Sequence, residues 1–107
     1  SAYFAFDRSY VEKPYAAMLE RHAGYLSTAP KVSIRIEGNC DERGSREYNL
    51  ALGQRRADAV AARLRMLGVR ASQLQTMSFG EEKPRARGHD EASWAQNRRA
   101  DLVYPTR

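Results

Sequence analysis

The stretch "GNCDERGS", residues 38–45, gathers the side chains with the most chemical potential: the only cysteine, Cys40, followed by Asp41, Glu42 and Arg43 between two glycines. A thiolate in such company could act as a nucleophile or a metal ligand. A nucleophilic Cys40 needs a histidine within hydrogen-bond reach, and the two histidines stand elsewhere, His22 in an apolar helical stripe and His89 in a late polar loop. A zinc ligand needs a C-x-x-C or H-x-x-x-H companion, which the chain lacks. Asp41 and Glu42 are consecutive, a spacing that does not straddle a glycosidic bond. The pattern therefore yields no catalytic residue, no metal ligand and no cofactor.

The loop must be positioned by the elements around it. "KVSIRIEGN" (31–39) alternates Val32, Ile34 and Ile36 with Ser33, Arg35 and Glu37, the period of a strand with one packed face and one wetter face. Beyond the loop, Ser45 can cap a helix, Glu47 suits its first turn, and Ala57, Val60, Leu64 and Leu67 form its buried stripe until Gly68 ends it. Upstream, "AYFAFD" (2–7) reads as a strand. A helix follows with Pro14 in its first turn, a stripe of Tyr15, Leu19, His22 and Leu26, and a stop before Pro30. "QLQTMSFG" (73–80) and "RRADLVY" (98–104) read as the last two strands, and Asp90 can cap a short helix carrying Trp94 between them. The expected order is βαβαβ(α)β, an α+β domain with two long helices packed on one face of a four-stranded mixed sheet.

Stepping 100° per residue from Val60 puts Arg56 about 40° from the centre of the buried stripe and Arg55 about 140° away. Arg55 therefore faces water, whereas Arg56 is turned toward the sheet. A buried guanidinium must meet a carboxylate, either from the protein in a structural salt bridge or from a ligand. The loop leaves the carboxyl end of a strand and enters a helix, a place where crevices hold ligands and where a helix N-terminus favours an anion. Asp41 in the loop and Arg56 on the helix match a zwitterion, with ammonium on the first and carboxylate on the second.

With 107 residues and 42% hydrophobic content, one domain spanning residues 1–107 is expected. Fifteen of the 18 basic residues are arginine and the formal charge is +5, which suits an anionic partner. A basic nucleic-acid-binding α+β domain is the alternative reading. Against it, Arg21, Arg35, Arg46, Arg63, Arg70 and Arg107 are scattered, and the third strand lacks the aromatic pattern on which bases stack. No signal peptide, lipidation motif or apolar run of ~18 residues is present. The opening enters a strand-like run within two residues, as expected of a domain excised from a longer chain.

The motifs "EGNCDERGSREYNLALGQRRADAV", "SFGEEKPRARGHDEASWAQNRRADLVY" and "FAFD" together resemble the peptidoglycan-binding domains of the OmpA-like family, over residues 3 to 104. They are most similar to those of the peptidoglycan-associated lipoprotein type. The resemblance implies non-covalent binding of the diaminopimelate of the peptidoglycan stem peptide, whose free D-centre is a zwitterion. It places the family's loop aspartate on Asp41 and the arginine of its "LSxxRA" motif on Arg56, with Gly53 in the serine position. Further contacts fall on Phe6, Asp7, Arg43, Leu52 and Asn39, with Phe6 and Leu52 as apolar walls. Cys40 departs from the small residue usual there. Asn97, Arg98 and Arg99 match a late signature that we read as structural. The resemblance further implies an N-terminal lipid, absent from this chain, that tethers the periplasmic face of a Gram-negative outer membrane to the wall. It also implies a TolB-type periplasmic propeller as a partner within a Tol-Pal system, and no nucleic acid.

Overall fold

The computed structural model describes residues 2–3, 13–40, 43–80 and 97–104, with side chains from residue 15 onward in the first helix. Strands β1 (Ala2–Tyr3), β2 (Ile34–Asn39), β3 (Leu74–Gly80) and β4 (Arg99–Val103) form one sheet, and helices α1 (Lys13–Thr28) and α2 (Arg46–Met66) supply the second layer. The strand order is β1-β4-β2-β3. β2 runs parallel to β3 and antiparallel to β4, while β1 pairs antiparallel with β4, so the sheet is mixed as expected. Residues 4–7 of the expected first strand, and the Asp90–Trp94 helix with His89, lie outside the described residues.

The core explains the layering. Leu19, Ala23 and Leu26 of α1 and Ala57, Val60 and Leu64 of α2 bury against Ile34, Ile36, Ala2 and Ala100 of the sheet. On α2 the buried positions are Asn49, Leu52, Gly53, Arg56, Ala57, Val60 and Leu64, a helical stripe interrupted by polar residues. Ser45 caps this helix, its Oγ accepting from the Tyr48 N–H at 3.1 Å, with Glu47 in the first turn. At the other end Gly68 takes φ +102°. Its N–H donates to Arg65 O at 3.0 Å and that of Val69 donates to Leu64 O at 3.1 Å, which satisfies two terminal carbonyls and lets Val69 pack beside Leu64.

Three expectations shift. β2 begins at Ile34, because the Val32 N–H turns back to Ala29 O at 2.9 Å. β3 begins at Leu74, because Ala71–Gln73 form a 3-10 turn. In that turn the buried Gln73 places Nε2 2.9–3.0 Å from the carbonyls of Leu26, Ala29 and Val32, bonding the end of α1 and the chain that follows it. Glu37, expected on the wetter face, is only 4% exposed; its carboxylate accepts from Arg35 Nε at 2.7 Å, which makes burial tolerable.

Candidate functional site

Arg56 is fully buried, at 0% exposure, whereas its neighbour Arg55 is exposed, as the helical step requires. Its Nη1 donates to the backbone carbonyl of Asn39 at 3.0 Å, tying the third turn of α2 to the carboxyl end of β2. Leu52, four residues earlier on the same helix face, is also buried. Asn39, Leu52 and Arg56 are thus gathered where the loop leaves the strand. Arg43 is half-buried in the segment that leads to the Ser45 cap. Asp41, Phe6 and Asp7 lie outside the described residues.

Asn39 is 1% exposed and its amide is fixed from one side. Nδ2 donates to Glu37 O at 3.0 Å and approaches Asp101 Oδ2 at 3.5 Å. Two acceptors facing one end of the amide identify that end as nitrogen and send Oδ1 the other way. Oδ1 is buried with no hydrogen-bond partner among the described residues. A buried acceptor left in that state costs roughly 1–3 kcal/mol, and a donor that meets it recovers that cost.

Behind Asn39 stands Asp101, a residue that sequence reasoning did not single out. Asp101 accepts from Arg99 Nε at 2.9 Å while facing the Asn39 amide, so the carboxylate holds both groups in place. The alternation of "RADLV" put Arg99 and Asp101 on one strand face, but nothing local announced that Asn39 would be opposite. Asn97, Arg98 and Arg99 are all buried, in keeping with a structural part for that segment.

Cys40 is buried at 3% exposure. Its thiol donates to Asn49 O at 3.1 Å and its N–H donates to Gly80 O at 2.7 Å. The structure brings no described histidine to it. His22 shares a 2.7 Å hydrogen bond with the Tyr104 hydroxyl, and Tyr104 follows Val103, which is paired with Arg35 at the opposite end of β2. Five strand residues, about 17 Å, separate Arg35 from Cys40. A groove of about 470 Å³ lined by Arg35, Gln73, Gln75 and Tyr104 lies at that same far end, away from Arg56.

Comparison with known proteins agrees with the fold. The OmpA family matches residues 3–98. The chain is 52% identical over 104 residues to the peptidoglycan-associated lipoprotein of Pasteurella multocida, covering 97% of this chain and 69% of that protein. It is 52% identical over 101 residues to the one from Legionella pneumophila, of whose length it spans 57%. The crystal structure of the peptidoglycan-associated lipoprotein from Burkholderia pseudomallei superposes with a TM-score of 0.96 at 59% identity, covering 97% of this chain and 88% of that one. The C-terminal domain of Helicobacter pylori MotB, at 23% identity and a TM-score of 0.87 over 99% of this chain and 84% of that one, shares the fold.

Proposed function

The chain belongs to the OmpA family, and we propose that it binds peptidoglycan non-covalently through the diaminopimelate of the stem peptide. The observation that carries this reading is the fully buried Arg56, held against the end of β2 beside an Asn39 whose Oδ1 is an unmet acceptor. In this reading the Arg56 cation at the end of β2 is the charge toward which a carboxylate of the ligand is drawn. The ligand's ammonium is taken by Asp41, with Asn39 Oδ1 as a second acceptor nearby. Leu52 and Phe6 flank the methylene chain, and Asp7 and Arg43 close the polar rim.

The part played in the cell follows from binding without turnover. The curated relatives are lipoproteins by name, and the full-length protein, in this reading, carries an N-terminal lipid on the periplasmic face of the outer membrane of a Gram-negative bacterium. The domain then tethers that membrane to the wall, and a TolB-type propeller shares it within a Tol-Pal system. Many moderate sites on one polymer hold together more strongly than any one of them. No helix among the described residues is long and apolar enough to cross a membrane.

Calorimetric titration with a diaminopimelate-containing muropeptide tests the site. The parent is expected to bind, and Asp41→Ala and Arg56→Ala to lose binding. Undiminished affinity in both variants overturns the assignment, and recovery of shortened muropeptides after long incubation would make the protein an enzyme instead.

A further inference from the structure

α2 crosses β2 with no side chain between the two backbones. A Cβ added to Gly38 would collide with the carbonyl oxygen of Gly53, stand 2.6 Å from the Gly53 carbonyl carbon and come within 3.2 Å of the Ala57 nitrogen. A Cβ added to Gly53 would collide with Ser78 Oγ and lie 3.0 Å from Gly38 O. The helix turn pressed against Gly38 therefore runs from Gly53 to Ala57, and Arg56 is inside that turn. The carbonyl that Arg56 bonds belongs to Asn39, the residue after Gly38.

This juxtaposition fixes how deep Arg56 sits. Its bond to Asn39 O is 3.0 Å long. Lifting the turn by about 1 Å would carry it past hydrogen-bond range. Ser78 has a second task on the same seam, since its Oγ accepts from the Gly80 N–H at 3.2 Å, and Gly80 O in turn accepts from Cys40 N at 2.7 Å. The hydroxyl thus fills the notch that Gly53 leaves open and secures the strand end that carries the loop.

We infer that Gly53 and Ser78 are a matched pair that positions Arg56: one side of the seam must be bare because the other carries the hydroxyl. Gly53 acts through Arg56 and touches no ligand in this scheme. A swap follows from it. With Ser78→Gly the notch is vacated, and a serine at position 53 can place its own side chain there, with Gly38 O giving way by a few tenths of an ångström.

The experiment is a cycle of Gly53→Ser, Ser78→Gly and the double variant, read by thermal unfolding and by muropeptide titration at a temperature where each is folded. Gly53→Ser is expected to weaken binding about tenfold or more when Ser78 is present, as loss of a hydrogen bond to a charged group does. In the Ser78→Gly background the same change is expected to alter affinity by less than about threefold, with the melting temperature recovering in parallel. A serine at position 53 that leaves affinity unchanged beside Ser78, or penalties that simply add in the double variant, overturns the pairing. If Gly53→Ser does not fold, a double variant that folds and binds supports the pairing, and one that does not fold overturns it. The binding arm rests on the peptidoglycan reading and the unfolding arm does not. A parent that ignores muropeptide defeats the functional reading, while the stability coupling still decides the seam.

Discussion

The Arg56 guanidinium donates to the Asn39 carbonyl at 3.0 Å from a fully buried position, so a cation of the helix closes the end of a strand. Arg56→Lys keeps the charge but gives up the planar fork, and a lysine ammonium on a shorter, rounder head does not reproduce the geometry. Loss of a charge-assisted hydrogen bond costs about 1.5–3 kcal/mol. Arg56→Lys is therefore expected to lower the denaturation midpoint and to weaken muropeptide binding, whereas Arg55→Lys, on an exposed position, is expected to leave both near the parent. Equal behaviour of the two variants in chemical denaturation and calorimetry would contradict the assignment.

Two glycines predict opposite signs for the same substitution. A Cβ at either Gly24 or Gly68 meets nothing within 4 Å, so neither change creates a clash. Gly24 lies inside α1 without a positive φ, and Gly24→Ala is expected to stabilise by roughly 0.5–1 kcal/mol through reduced chain entropy. Gly68 holds φ +102° to finish α2. There an alanine is expected to destabilise by about 1–2 kcal/mol. Melting curves of the two variants on either side of the parent check this.

Periodicity made the local faces legible. The step from Arg55 to Arg56, the Ser45 cap and the Gly68 stop are consequences of a 3.6-residue repeat and of backbone groups that need partners, and all three could be placed without coordinates. Gln73 could not, because its worth lies in carbonyls some 40 positions away, at Leu26, Ala29 and Val32, and no local pattern reports such a meeting. Glu37 shows the same limit: alternation gave its face, but burial depends on what covers that face. Within the candidate site, the helical step brought out Arg56, while the resemblance supplied Leu52 and Asn39 and the purpose the three share. The hold of Asp101 on Asn39 spans 62 positions and needed the fold.

Cys40 offers a direct test of the loop's packing. With 3% exposure and its thiol donated to Asn49 O, it lacks the access that makes a cysteine reactive. In native protein, labelling by a thiol reagent is expected to be slow and to follow the opening of the fold, becoming fast in denaturant. Rapid stoichiometric labelling without unfolding would show that the segment between Asn39 and the Ser45 cap opens on its own.

His22 makes stability depend on pH in a defined direction. Burial, reinforced by positive charge including Arg21, lowers its pKa from the usual 6.5. In the fold the neutral imidazole shares a 2.7 Å hydrogen bond with Tyr104 and stacks on its ring at 5.7 Å. The unfolded chain, with a histidine pKa of about 6.5, takes up a proton before the native chain does. Unfolding is then favoured as pH falls. His22 therefore contributes its full stability above about pH 6.5, and that contribution drains away as the pH drops through the lower folded value. His22→Gln removes this titration while retaining a hydrogen-bonding side chain near Tyr104. Urea midpoints of parent and variant, measured at steps from neutral pH downward, are expected to diverge in slope below about pH 6.5, the parent falling more steeply. Parallel slopes would mean that the imidazole is already as easily protonated in the fold as in the open chain, and would remove His22 from the account of acid sensitivity.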